Sequence, residues 1–226
     1  MHQKAVIVTA TIALVVAGTG IASGNASVRT DPPVVFDGAH ARVTAADGQP
    51  LLRSAGSWSA TAGAFLAARG RDARTIRSLR VATIHAWRGI THVTFHQEVG
   101  GRAIAGAQAK FAFDAAGAIV HAIDQLATVP ATVAGGGVTP EAALAATLRA
   151  IHPAIAERPA VRDRSAARAV FARTPGFAAD PTAERVLLAR VSGRLEPAWR
   201  VTTWTSDNLL DVTLVDAAGA VAASER

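Results

Sequence analysis

The residues best suited to chemistry in this chain are four histidines in its middle, His85, His92, His96 and His121. Imidazole is the commonest metal ligand, and a zinc site draws three or four donors together. His92 and His96 lie on one side of an alternating stretch, and His85 and His121 fall in neighbouring stretches of the same kind. A zinc peptidase needs more than that. It needs two histidines one helical turn apart with a glutamate between them as base, His-Glu-x-x-His. That pattern does not occur in the chain; the nearest fragment, His96-Gln97-Glu98, has the wrong spacing and sits in a strand pattern. The alternation places the histidines on the solvated face, where the residue is ordinary. No metal ligand, catalytic residue or cofactor is therefore assigned. Neither a Gly-x-Ser-x-Gly elbow nor a phosphate-binding loop is present. Cysteine is absent, which removes any disulfide framework or thiolate metal site.

The histidines are positioned by residues 90–126, which read as three antiparallel strands. Val93, Phe95, Gln97 and Val99 alternate with His92, Thr94, His96 and Glu98, the period of a strand with one buried face. Gly100-Gly101 tolerates the positive φ of a two-residue hairpin turn. In residues 102–113, Ala107, Ala109, Phe111 and Phe113 point one way and Ile104 is out of phase. A bulge at Gly106 is expected to return Ile104 to the core face. Asp114-Ala115-Ala116-Gly117 is a turn, and residues 118–126 form the third strand. Gln97 is a polar group amid the core face; if buried, its amide must hydrogen-bond to backbone.

Residues 57–69 are a candidate helix with Trp58, Ala62, Phe65 and Leu66 at helical spacing. Ser57 or Ser59 caps it and Gly70 ends it. Arg69, Arg71, Arg74, Arg77 and Arg80 make a cationic run, a solvated face or a patch that steers an acidic partner. Residues 79–86 are a further strand. Thr139-Pro140-Glu141 opens a helix that stops before Pro153, with Ala143, Leu144, Thr147, Leu148 and Ile151 as its buried stripe. Residues 153–180 read as irregular, with a helix near 165–172. Strands follow at 185–191, 197–205 and 208–215, then a last short stretch at 220–223.

The formal net charge is +6, carried by 21 Arg and 2 Lys. Tyr is absent and no Arg cluster is interleaved with stacking rings, which argues against nucleic acid as partner. Residues 1–26 have one early charge, Lys4, an apolar run and small residues near Ala22 and Ala26, the pattern of a secretory signal. The run is shorter than the ~20 residues of a spanning helix.

Ordered along the chain, His92, Val93, Phe95, Gln97, Gly101, Ile104, Gly106, Ala107, Asp114 and Gly117 form a pattern that resembles the FTP domain. That domain is the fungalysin/thermolysin propeptide module of secreted zinc metallopeptidase precursors. Ala64-Phe65-Leu66 before Arg69-Gly70 resembles its first helix. Pro197 to Val201, with Trp199, and then Val212 to Gly219, with Asp216 and Gly219, resemble the PepSY-type module that often follows it. Asp216 to Gly219 repeats the turn chemistry of Asp114 to Gly117.

The resemblance implies an α+β fold: two small cystatin-like modules, each a helix packed on an antiparallel sheet, after an N-terminal signal helix. The expected organisation is a signal peptide at 1–26, a flexible leader at 27–56, an FTP-like domain at 57–126, a linker at 127–138 and a PepSY-like domain at 139–226. It also implies a function. Such propeptides assist folding of a secreted thermolysin- or fungalysin-like zinc metallopeptidase and hold it inactive, in cis or in trans. Here the catalytic domain is not part of the sequence, so a truncated precursor or a trans-acting inhibitor is expected, not an enzyme. A monomer, secreted to the cell exterior and free of the membrane after signal cleavage, is expected. Trp204 and Arg200 are the candidate partner anchors. The competing reading is an envelope-associated, non-catalytic binding module held by an uncleaved signal.

Overall fold

The structure is a computed structural model that describes residues 34–37, 42–45, 49–190 and 192–225. The signal segment at 1–26 lies outside the described residues. In chain order the elements are β1 (Val34–Asp37), β2 (Arg42–Ala45), α1 (Trp58–Ala68), α2 (Ala73–Arg77), β3 (Leu79–Trp87), β4 (Ile90–Val99), β5 (Arg102–Phe113), β6 (Ile119–Gln125), α3 (Pro140–Ile151), β7 (Val161–Arg164), β8 (Arg168–Phe171), β9 (Thr182–Ala189), β10 (Leu195–Trp204), β11 (Leu210–Val215) and β12 (Val221–Glu225).

Local chemistry accounts for most of these boundaries. Ser57 caps α1 by accepting from the Ala60 N–H at 3.2 Å, and Thr139 caps α3 in the same way on Ala142 at 3.2 Å. Asp72 caps the short α2, which the sequence reading passed over: its carboxylate accepts from the N–H groups of Arg74 and Thr75 and from the Thr75 hydroxyl. The Thr75 hydroxyl contact, followed by the Thr75 N–H, holds the Asp72 carboxyl below its ordinary value. Gly100 and Gly101 adopt φ of 57° and 72°, the left-handed pair that a two-residue turn between β4 and β5 requires. The two Asp-x-x-Gly turns are built alike. Asp114 Oδ1 accepts from the N–H groups of Ala116 and Ala118, and Asp216 Oδ1 accepts from those of Ala218 and Ala220. Gly117 and Gly219 close them at φ of 75° and 84°.

The first core gathers Phe65 and Leu66 of α1 with Val93, Phe95, Ala109, Phe111, Phe113, Ile119 and Ala122 of the β4–β5–β6 meander. Val43, Leu51 and Leu52 join it. The reading of residues 27–56 as a loose leader is thus corrected in part: β2 pairs with β6, and Leu51 and Leu52 are buried beside Ile119, to which Leu51 donates and from which Leu52 accepts. Four-residue strands are too short to show a period in sequence. A second core sets Ala143, Leu144 and Leu148 of α3 against Ala183, Trp199, Val201 and Val215, with Phe171 and Phe177. The expected helix near 165–172 is instead the β7–β8 hairpin. Ser165 Oγ accepts from the N–H groups of Ala167 and Arg168 and makes the turn, so an Ala-rich stretch that favours helix by propensity is overridden by tertiary pairing with β9.

Two small cystatin-like modules, each a helix on its own sheet, are not what the chain builds. Its twelve described strands form one mixed sheet, with three helices on it. The join is made by β5. Between His96↔Gln108 and Glu98↔Ala103, the residues Ile104 to Ala107 face only Gln97 on β4. Gly106, at φ 72°, takes the turn. β6 reaches β5 only as far as Gln108, which leaves the start of β5 open on that side. There β9 enters, parallel, at Ile104↔Leu187. So the bulge does not return Ile104 to the phenylalanine core. Ile104 packs instead with Ala107, Val129, Leu187 and Leu195 in a third buried cluster that seals the join. No local pattern announces a pairing between residues so far apart in the chain.

Candidate functional site

The motif residues of the first half act mainly on the fold. Phe95 is buried in the first core. Gln97 is fully buried; its Oε1 accepts from the Ala127 N–H at 2.7 Å, and its Nε2 donates to the Ala127 carbonyl at 2.9 Å and to Ser78 Oγ at 3.1 Å. One side chain thereby fixes the exit of β6 and the end of α2 onto β4. Gly101, Gly106, Asp114 and Gly117 make the turns described above. Trp199 is buried and donates its Nε1–H to the Val138 carbonyl at 2.8 Å. Asp216 and Gly219 close the turn into β12.

The histidines do share a face. His92 pairs with His85 on β3 and with Ala112 on β5, and Ala112 pairs with His121 on β6. Burial, with Arg42 and His92 adding to it, holds the His121 imidazole below its ordinary value. Among the described residues no group of three or more His, Cys, Asp or Glu is placed to hold a metal ion.

The partner anchors expected from sequence lie together on β10. α3 covers the face of Trp199, Val201 and Thr203; Arg200, Thr202 and Trp204 alternate onto the other face, which no helix among the described residues covers. Arg200 forms an ion pair with Glu184, its cross-strand partner on β9. Trp204 is 44% exposed, and its Nε1–H is held by Asn208 Oδ1 at 2.9 Å. Its cross-strand partner is Leu210, 51% exposed. The result is an exposed indole on a leucine, oriented by a hydrogen bond, about 13 Å along the strand from an Arg–Glu pair. A surface of this kind buries apolar area against a partner at little entropic cost, because its Trp is already fixed.

One constellation escaped the sequence reading. His152, which ends α3, puts Nε2 3.1 Å from Thr203 Oγ1 and 3.2 Å from Asp211 Oδ2. All three residues are buried. The signal was available: Asp211 falls in phase with Thr213 and Val215 on the inner face of β11. The trio is not a nucleophile relay, because such a relay places hydroxyl and carboxylate on opposite ring nitrogens and opens the hydroxyl to substrate. Here both partners meet one nitrogen and Thr203 is fully buried. It is a polar tie between α3, β10 and β11.

No family model matches the chain, and no curated protein matches it. Among solved structures, the C-terminal domain of Bacillus megaterium YpeB is similar at 9% identity and a TM-score of 0.38, over 85% of this chain and 80% of that one. A likeness at that level assigns neither fold nor activity. The resemblance to the FTP and PepSY-type modules rests on the residues quoted for it. No helix among the described residues is long and apolar enough to cross a membrane.

Proposed function

We propose that the chain is a non-catalytic binding module, a propeptide-type inhibitor and folding chaperone of a secreted thermolysin- or fungalysin-like zinc metallopeptidase. The reading draws on the motif residues of the β4–β6 meander and of β10–β12. The observation that carries it is the uncovered face of β9–β11, where Trp204 and Leu210 stand exposed on the same face as the Arg200–Glu184 pair. Trp and Arg are the residue types that most often dominate an interface. An interface of standard size buries ~1,200–2,000 Å², more than one tryptophan supplies, so the partner must cover much of this sheet face.

The test is inhibition of thermolysin- and fungalysin-type peptidases by the full chain and by its Trp204→Ala and Arg200→Ala variants. Slowed hydrolysis of a peptide substrate is expected, with Trp204→Ala weakening inhibition at least about tenfold. Both side chains lie outside the cores, so the variants keep the fold. Inhibition untouched by either change moves the site elsewhere. No inhibition of any such enzyme refutes the reading and leaves a binding module with another target.

A further inference from the structure

Among the described residues β3 pairs only with β4, and its other edge is open. From Arg80 to Trp87 every residue of the strand is exposed. Arg80 and a bulge guard its start, and beyond them no Lys, Arg, Asp or Glu follows up to Trp87. Val81 pairs with Phe95 and Ile84 with Val93, so both continue the apolar row of the first core. Yet they stand 44% and 51% exposed, because no helix among the described residues reaches over them. On the opposite face Trp87 is 58% exposed, with the Arg88 guanidinium 4.5 Å over its ring. A bulge between Val81 and Thr83 interrupts pairing with β4 near the start of the strand, and beyond it the residues run in regular register to Trp87. An edge that is extended, apolar on its inner face and unpaired is a template for another strand.

Charge selects the occupant. From Ala73 to Gln97 the chain carries Arg74, Arg77, Arg80 and Arg88 and no Asp or Glu. Two copies of β3 paired antiparallel about Ile84 would set Arg80 of one copy opposite Arg88 of the other, and like charges opposed across a ladder destabilise it. An acidic strand meets the same arginines favourably.

We propose that the open edge of β3 is a strand-addition site for an extended acidic segment with apolar residues at alternate positions. Backbone hydrogen bonds to residues 83–87 supply the ladder. The apolar side chains of the segment lie against Val81 and Ile84, and its carboxylates face Arg80 and Arg88. The site does not depend on the partner being a peptidase.

The probe is a synthetic peptide as long as β3, nine residues, with valine alternating with aspartate and glutamate. Its control has lysine at the acidic positions. Binding to the full chain is read by fluorescence anisotropy and by hydrogen–deuterium exchange of β3. The acidic peptide is expected to bind at about 100 μM or tighter, to protect residues 83–87, and to weaken as salt rises. The lysine peptide is expected to bind at least about tenfold more weakly. Arg80→Glu combined with Arg88→Glu reverses that order. Ile84→Asp, at an exposed position that leaves the circular dichroism spectrum unchanged, abolishes binding of the acidic peptide. Equal binding of the two peptides, or no binding up to about 1 mM, overturns the proposal. A concentration-dependent dimer that protects β3 overturns it in favour of a second copy. Protection of β3 in the peptide-free monomer overturns it too, since the edge is then already filled by the chain itself.

Discussion

Phe111→Ala should destabilise the protein by about 3–5 kcal/mol, the cost of emptying a fully buried aromatic site. Phe111 is 1% exposed and lies at the middle of the first core. It meets Phe65 edge-on at 5.8 Å between ring centres, Phe95 edge-on at 5.8 Å, and Phe113 at 6.1 Å. Truncation removes the ring that three others pack on. It also opens a cavity between α1 and the sheet that these rings cannot collapse into without shifting α1, β4 or β5. Urea unfolding followed by circular dichroism measures the loss. A cost below about 1 kcal/mol would mean that the phenylalanine cluster does not hold α1 on the sheet. An exposed aromatic offers the contrast: Trp87→Ala removes a ring that is mostly in solvent and should change stability by no more than about 0.5 kcal/mol.

Gln97→Leu is the second large effect, and its cause is polar. Leucine nearly preserves the volume, so the cavity term is small. What is lost is the pair of hydrogen bonds to Ala127 and the one to Ser78. The N–H and C=O of the half-buried Ala127 are left facing an apolar side chain, and stranding a buried polar group costs about 1–3 kcal/mol, less where water still reaches it. A total loss of about 2–5 kcal/mol is expected, measured by the same unfolding experiment. Exchange of the Ala127 amide should accelerate ahead of global unfolding. Neutral behaviour of Gln97→Leu would show that the exit of β6 is held by other contacts.

These two residues also show where a sequence reading succeeds. Phe95, Phe111 and Phe113 alternate strictly, and a period of two decides which face they take. Gln97 is legible for the same reason, as a polar residue in an apolar phase. The Gly100-Gly101 turn, the two Asp-x-x-Gly turns and the capped start of α3 are equally local, each decided by a few adjacent residues. The join at Ile104 and Leu187 is different in kind. Ile104 shows itself as out of phase, but the sequence offers no means of finding its partner on β9, so the expected return of Ile104 to the core face does not occur. The same holds for Asp211: its phase shows that it is buried, while its tie to His152 depends on how α3 lies over β10 and β11. The surface carrying Arg200 and Trp204 lies between these cases. Alternation puts both on one face, and only the packing of α3 on the other side tells which face is left uncovered.

We propose that the uncovered face of β9–β11 is the surface that would meet a secreted peptidase. The direct measurement is hydrogen–deuterium exchange of the full chain, alone and with a thermolysin-type peptidase whose general-base glutamate has been replaced so that it binds without cutting. The account predicts slowed exchange across β10 and β11, centred on Trp204 and Leu210, and its loss in Trp204→Ala. Unchanged exchange throughout the chain, or protection confined to the first core and its helices, would contradict it.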